Sequence, residues 1–376
     1  MRYFYYYDIL YLFKMLTKHY AYRLLNVSDF GNCADKERFM QPVKKNYLDR
    51  LRLVAIFAVF FFHYIVITGK QGFVLYYANG DWGHLGTTLF LLISGNCLAR
   101  IYGEKLSLKS FYKKRWLSIF PAFYITYILV FLGYTVVLHN NIIAGKPLWW
   151  FIYSILGIDH YIGFIGIPSM ALVGEWYTTI IVAIYIIFPV LQFMYRKSKL
   201  IGSVIMTVLF ILNYHFTWTG FPDEVHLITC AAIFWVGMLT YHFEDQLENM
   251  PRIIWWLLLA FIGVLLFVEM PFPYLIKKLL VPPLLFIVFM RTEPIWKNTS
   301  ESPVISFLCS IEYAVYLCHH SVLYVIQSFY DRLLGKIEPV SYFIISLVAT
   351  IIFAAVITYI TNIILGKRKL KSKNHK

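Results

Sequence analysis

Two ionisable residues on one apolar segment are the strongest chemical signal in this sequence of 376 residues. Arg52 and His63 stand eleven residues apart in the run that follows Asp49. Eleven residues at about 100° each make close to three helical turns, so both side chains lie on one helix face, about 16 Å apart along its axis. Because ionisable side chains inside a membrane are energetically costly, this pair indicates a functional site.

The residue types suggest what this site does. Imidazole accepts and returns a proton near neutral pH, which is the property that activates a hydroxyl nucleophile. We therefore predict that His63 is a general base. Arg52 is predicted to stabilise negative charge that develops in the reaction. Two simpler interpretations stay open, namely an interfacial anchor for Arg52 and a packing histidine for His63.

A second basic cluster, Lys113-Lys114-Arg115, opens another apolar run. Guanidinium and ammonium groups match phosphate oxygens, so Arg115 and Lys114 are predicted to bind the phosphates of a donor cofactor. The same cluster is also an ordinary signal for the cytoplasmic side of a membrane.

The composition predicts an all-α, polytopic integral membrane protein. Hydrophobic residues make up 60% of the chain and charged residues only 14%, whereas soluble domains have about 25% charged residues. The apolar runs are continuous rather than alternating, which predicts helices that span a bilayer. About ten such helices are predicted, at residues 50–68, 84–102, 116–138, 174–195, 200–217, 225–242, 253–269, 274–290, 306–328 and 341–365.

Basic residues concentrate in alternate connections, which predicts a multi-pass protein of the cell membrane with both termini cytoplasmic. The net charge of +14 belongs to this pattern, so we predict a lipid bilayer as partner and no nucleic acid. Lys277 and Lys278 depart slightly from the pattern, and Glu244, Asp245 and Glu248 make one predicted cytoplasmic loop acidic. Residues 146–168 are predicted to be interfacial or re-entrant, because an eleventh span there would invert the charge pattern.

The predicted membrane domain covers residues 46–368, followed by a basic cytoplasmic tail, 369–376. Residues 1–45 are an N-terminal extension, and Met40 is a plausible native start because a short basic segment, Gln41-Pro42-Val43-Lys44-Lys45, leads from it into the first apolar run. The five cysteines have no metal-ligand spacing, so no metal site is predicted.

The motifs resemble those of the membrane acyltransferase-3 family. The family pattern L-D-x-L-R-x(10)-H is matched by Leu48, Asp49, Leu51, Arg52 and His63. Further matches are Phe90, Ser94 and Gly95 in the second run, Phe111, Arg115, Ile119 and Pro121 in the third, Glu175-Trp176-Tyr177 in the fourth, and Tyr313, Tyr316 and His319 near the end. The sequence departs from the family at Leu91, Asn96 and Ser118, the last of which replaces a basic residue.

The resemblance implies a membrane-bound O-acyltransferase, specifically an O-acetyltransferase. It would move an acyl group, expected to be acetyl, from cytoplasmic acyl-CoA to a hydroxyl of a cell-surface polysaccharide or lipid-linked sugar. Acetyl-CoA is then a donor substrate, and no cofactor is permanently bound. Glu175 and Trp176 are candidate substrate-binding residues on the outer side, although a surface carboxylate and an interfacial anchor are the simpler interpretations.

Other outer-side candidates follow from the predicted topology, and His319 is a candidate supporting residue. These outer-side residues are Asp159, His160, Asp223, Glu224 and His226. The main alternative function is a membrane transporter or flippase of a lipid-linked sugar, since such proteins also hold polar residues within spans. A structural or sensor membrane protein is a second alternative. Release of thiol from acetyl-CoA would separate both from the enzyme.

Overall fold

The computed structural model describes residues 45–69, 75–138, 146–173, 175–216, 221–296, 302–333 and 338–366. The predictions about the extension before residue 45, including Met40, and about the tail after residue 368 lie outside these ranges. Within them, ten helices of 16 to 31 residues occupy the ten segments that the apolar runs predict.

The helices follow one another along the chain with short connections. The long ones are α1 Asn46–Ile67, α2 Trp82–Tyr102, α3 Leu108–Leu132, α6 Glu175–Lys197, α7 Lys199–His215, α8 Leu227–His242, α10 Arg252–Phe267, α11 Tyr274–Met290, α13 Pro303–Leu333 and α14 Pro339–Ile364. The short ones are α4 Phe151–Leu156, α5 Asp159–Phe164, α9 Glu244–Glu248 and α12 Glu293–Trp296. Two antiparallel strands, β1 Tyr76–Tyr77 and β2 Gly80–Asp81, form a hairpin before α2.

Five helices in the described part are long and apolar enough to cross a membrane. These are α1, α2, α3 with its π-helical continuation to Val136, α6 from Trp176, and α14. The apolar helices α7, α8 and α10 are shorter, with at most 17 residues each. The all-α membrane class is therefore confirmed, and the count of about ten spans stays a prediction. The segment 146–168 forms helices of six residues, α4 and α5, which are too short to span.

Helix α2 is the centre of the bundle. It packs against α1, α8, α11 and α6, and it is the most buried of the five candidate spans. Lipid chains are as apolar as leucine, so close van der Waals packing, rather than the hydrophobic effect, holds such helices together. Glycine permits the closest approach: a Cβ on Gly95 would collide with the carbonyl oxygen of Phe234, and one on Gly237 would collide with that of Leu92.

Polar contacts join distant segments at the end of the bundle where α1 and α3 begin and α2 ends, which we call the basic end. Buried Glu244 accepts hydrogen bonds from both terminal nitrogens of Arg100 and, at 3.1 Å, from the Tyr47 hydroxyl. Lys45 Nζ lies 2.6 Å from a carboxylate oxygen of Glu248. These ion pairs hold the start of α1 against the end of α2 and against α9.

The opposite end of α2 holds the β-hairpin and is called the hairpin end. Lys278 is buried there and lies 3.2 Å from Asp81 and 3.1 Å from Glu224. Its neighbour Lys277 forms an ion pair with Glu269. The two lysines that depart from the predicted charge pattern are thus both ion-paired with carboxylates.

Candidate active site

A cavity of about 250 Å³ opens between α1, α2, α3, α6 and α13 in the half of the bundle nearer the basic end. We call it the donor cavity, because Arg115, which the sequence predicts to bind donor phosphates, and Arg52 both line it. It is lined by Arg52, Phe90, Ile93, Ser94, Cys97, Leu98, Arg115, Ser118, Ile119, Tyr177, Ile181, Tyr185, Glu312, Tyr313 and Tyr316. Residues of all five motif segments that carry the family resemblance therefore line one cavity, although they lie far apart in sequence.

Arg52 is held between two carboxylates in this cavity. Its Nη1 lies 2.9 Å from Asp49 on the preceding turn of α1, and its Nε lies 3.5 Å from Glu312 on α13. Its Nη2 also approaches the Sγ of Cys97 at 3.5 Å. The side chain is 28% exposed, and this exposure is toward a lined cavity. Paired carboxylates fix the guanidinium while leaving part of it open to a ligand.

Arg115 enters the same cavity from α3 without a carboxylate partner among the described residues. Its guanidinium lies 5.6 Å from the ring of Tyr185, and its buried Nε has no hydrogen-bond partner in the described part of the chain. A cation without a neutralising neighbour favours an anionic ligand. Lys114, the adjacent predicted phosphate contact, is exposed and does not line the cavity.

Tyrosines form the wall of the cavity that faces α6 and α13. The rings of Tyr177 and Tyr316 lie 5.4 Å apart in an edge-to-face arrangement, and Tyr177 also packs near Phe90 at 5.8 Å. Such rings offer an apolar surface together with hydroxyl tips. The wall therefore offers both apolar and polar contacts to a ligand.

Beyond this wall lies a cluster of three histidines. The ring centroid of His63 lies 4.9 Å from that of His319 and 5.1 Å from that of His320. His319 in turn packs 5.9 Å from Tyr316, which lines the cavity. The His319 Nδ1 lies 2.7 Å from the Tyr316 carbonyl oxygen, and since a carbonyl only accepts, Nδ1 donates and carries the proton.

Arg52 and His63 both face α13. Arg52 contacts Glu312 and His63 contacts His319, seven residues later on the same helix. The shared face predicted from their spacing on α1 therefore corresponds to one helix contact. Arg52 lines the donor cavity. His63 does not line it, and ring contacts through His319 connect it to Tyr316 in the cavity wall. Glu312 was not predicted, because no spacing on α1 indicates a partner 260 residues away.

The structure brings the predicted outer-side residues only partly together. The Tyr161 hydroxyl on α5 donates to the Val225 carbonyl at 3.2 Å, which joins the helix of Asp159 to the segment that holds Glu224. Helix α6 begins at Glu175, whose side chain is not described, and half-buried Trp176 packs at 6.3 Å from Tyr177 without lining the cavity. Glu224 pairs with Lys278. The His226 Nδ1 accepts the Ile228 N–H at the start of α8.

Asp159 begins α5 and is buried beside Ser154 of α4. Burial raises the pKa of its carboxyl to about 6, although the Ser154 hydroxyl, which donates to it at 3.0 Å, acts in the opposite direction. Ser154 also lies 3.3 Å from the Tyr127 hydroxyl, which donates to the Met170 carbonyl. This group ties α3 to the segment before α6, and it lies apart from the donor cavity lining.

Comparison with known proteins gives one family and several distant relatives. The sequence model described as an acyltransferase domain matches residues 45–359. Nodulation protein 10 of Rhizobium leguminosarum bv. viciae is 25% identical over 213 residues, which is 48% of this chain and 56% of that protein. A Staphylococcus aureus (strain COL) protein provisionally named an O-acetyltransferase is 24% identical over 330 residues, 75% of this chain and 53% of its own.

A third relative has a more specific name. The peptidoglycan O-acetyltransferase of Listeria monocytogenes serovar 1/2a is 26% identical over 167 residues, 40% of this chain and 24% of that protein. The chain spans about half the length of the first relatives that it matches. No solved structure is a significant match.

Proposed function

Since the chain belongs to the acyltransferase-3 family, whose domain covers residues 45–359, we propose that it is a membrane-bound O-acetyltransferase. Its donor is acetyl-CoA from the cytoplasm. Its acceptor is a hydroxyl of a cell-surface polysaccharide or of a lipid-linked sugar. Two relatives named as O-acetyltransferases, one of them acting on peptidoglycan, support this acceptor class.

One observation carries the proposal. Arg52 and Arg115, from two helices, line a single cavity whose tyrosine wall leads to His63 through Tyr316 and His319. This joins a cationic binding surface to a titratable imidazole. An acyl transfer from a phosphorylated thioester donor needs both, because the phosphates require binding and the acceptor hydroxyl requires a base.

The donor phosphates bind at the basic end. Arg115 is the principal contact, because no described carboxylate neutralises it, and Lys114 adds positive charge from the surface. Basic residues cluster at the starts of α1 and α3, which supports a cytoplasmic location for this end. The acceptor then approaches from the hairpin end, and both chain termini are cytoplasmic.

The proposed chemistry uses His63 as the group that moves the proton. His63 takes the proton of the acceptor hydroxyl while the oxygen attacks the thioester carbonyl carbon. The carbon–sulfur bond breaks, the CoA thiolate leaves with its electron pair, and the imidazolium returns the proton to it. In the covalent variant, the imidazole nitrogen attacks the carbonyl first and the CoA thiolate leaves with its electron pair. The acceptor oxygen then displaces the imidazole, which takes the hydroxyl proton and passes it to the thiolate.

Arg52 acts on the donor side of the same step. Held by Asp49 and Glu312, its guanidinium has a fixed orientation. It positions the donor and stabilises the negative charge that develops on the carbonyl oxygen or on the leaving sulfur. The pantetheine arm lies along α1 and brings the thioester past Tyr316 toward His63.

The test is release of thiol from acetyl-CoA by the purified protein in lipid nanodiscs, with and without extracted surface polysaccharide. We expect slow release with the donor alone and faster release with acceptor, accompanied by O-acetyl groups on the polysaccharide. Movement of a lipid-linked sugar across the bilayer without any thiol release would instead support the flippase alternative and overturn the proposal.

A further inference from the structure

A second cavity, of about 210 Å³, lies at the hairpin end, at the opposite end of α2 from the basic end. We call it the hairpin cavity. Its lining includes Tyr76, Tyr77, Tyr274, Glu269, Lys277 and Lys278. We propose that the hairpin cavity is a subsite that binds one sugar residue of the acceptor glycan. The proposal rests on the proposed function and names where its acceptor is held.

Exposed aromatic rings are the first support for a sugar. Tyr76 is 51% exposed and Tyr274 is 64% exposed, yet both line the cavity rather than only the outer surface. A sugar ring presents C–H groups on its faces and hydroxyls on its edges. Tyrosine complements it, because the ring packs on the apolar face and the phenol hydroxyl bonds to an edge.

The balance of charge is the second support, because it disfavours an anionic ligand. Lys277 is paired with Glu269, and Lys278 with Asp81 and Glu224. Among the described residues that line the cavity, both cations are therefore paired with carboxylates, in contrast to Arg115 in the donor cavity. The Glu269 side chain is 70% exposed, so its oxygens remain able to accept hydrogen bonds from sugar hydroxyls.

The hairpin that forms one side of the cavity is held rigidly. The Asn79 side-chain amide donates to the carbonyls of Leu265 at 2.6 Å and Val268 at 2.8 Å, and its oxygen accepts the N–H of Met270 at 2.8 Å. The Ala78 N–H donates to the Leu266 carbonyl at 3.0 Å. These bonds satisfy the carbonyls at the end of α10, and they fix the subsite before the ligand arrives, which reduces the entropy lost on binding.

The experiment compares Tyr274→Ala with Phe272→Ala in nanodiscs. Phe272 is a matched control, since it lies two residues before Tyr274, is 46% exposed and does not line the cavity. The acceptor probe is the polysaccharide extracted from cells in which the protein occurs. For Tyr274→Ala we expect the acceptor KM to rise about fivefold to tenfold from lost ring contact, with the acetyl-CoA KM unchanged. Phe272→Ala should behave as wild type.

Binding of the same labelled polysaccharide is measured in parallel without donor, so that the two proposals can fail separately. Weaker binding by Tyr274→Ala than by Phe272→Ala supports the subsite even if no thiol is released, in which case only the acetyltransferase proposal fails. Equal acceptor KM and equal polysaccharide binding for wild type and Tyr274→Ala would overturn the subsite.

Discussion

The Nε of Arg52 lies 3.5 Å from a carboxylate oxygen of Glu312, which joins the first long helix to α13 across the wall of the donor cavity. Arg52 already has Asp49 as a partner at 2.9 Å on its own helix. The second carboxylate is therefore not needed to neutralise the guanidinium. It fixes the direction in which the guanidinium presents its remaining nitrogens to the cavity.

Glu312→Gln should consequently damage catalysis more than folding or donor affinity. In this variant Arg52 keeps its ion pair with Asp49, so its charge stays neutralised. The substitution also removes one negative charge from the cavity in which we propose that the anionic donor binds. We expect kcat to fall about tenfold or more because the guanidinium is no longer aligned, while the acetyl-CoA KM stays equal or falls. Steady-state thiol release measures both constants. An unchanged kcat with normal folding would show that the Glu312 contact has no role in alignment.

Substitutions of the neighbouring cations Arg115 and Lys114 should differ in their effect on the acetyl-CoA KM. Arg115 lines the cavity, whereas Lys114 is exposed outside it. Charged hydrogen bonds contribute about 1.5–3 kcal/mol, so Arg115→Ala should raise the acetyl-CoA KM by about tenfold or more. Lys114→Ala should change it by about twofold at low salt, and less at high salt, because exposed charges are screened. Equal effects of the two variants would contradict the placement of the phosphates.

Cys97 offers a direct probe of occupancy of the donor cavity. Its Sγ lies 3.5 Å from Arg52 Nη2, and the residue lines the cavity. We expect a small neutral thiol reagent to modify Cys97, and acetyl-CoA at ten times its Kd to slow this modification about tenfold. Cys309 is the internal control, since it is half-buried but outside the cavity lining. Mass spectrometry of the modified peptides follows both. Equal rates at Cys97 with and without donor would place the donor elsewhere.

Asp159 should make stability depend on pH. It lies outside the predicted spans, and burial raises the pKa of its carboxyl from 3.8 to about 6. The fold therefore favours the neutral acid, so this group's contribution to stability is complete below about pH 4 and is lost as the pH rises through about 6. Asp159→Asn is neutral at every pH and should lack this loss.

Thermal unfolding of wild type and Asp159→Asn between pH 4 and pH 7 measures the effect. We expect the wild-type Tm to fall relative to that of the variant as the pH rises across this window. Parallel Tm curves would show that Asp159 titrates in the folded protein as it does in the unfolded chain.

Local sequence patterns predicted the helices well, because apolar runs and interrupting polar residues are local properties. They also led to Arg52, His63 and Arg115, since helical spacing and motif resemblance need no tertiary knowledge. Glu312 and Cys97 could not be found in this way, because their importance comes from packing α2 and α13 against α1. The same holds for Lys278, which looked misplaced by charge alone and is neutralised by Asp81 and Glu224.

The sequence predicted the position of His63 relative to the donor cavity less completely than it predicted the helices. Helical spacing placed it on the face that it shares with Arg52, and both do contact α13. Spacing alone could not show that Tyr316 and His319 stand between His63 and the cavity, because those residues come from a helix more than 250 positions away.

The most direct measurement follows acetyl label from acetyl-CoA into the surface-glycan fraction of membranes that carry equal amounts of wild type, His63→Ala or Phe57→Ala. Phe57 lies on the same helix and is 52% exposed, so its variant controls for truncation of α1. If His63 moves the proton or carries the acetyl group, wild type and Phe57→Ala label the glycan and His63→Ala does not. If His63→Ala labels the glycan as fast as wild type, His63 is a packing residue and the proposed mechanism is wrong.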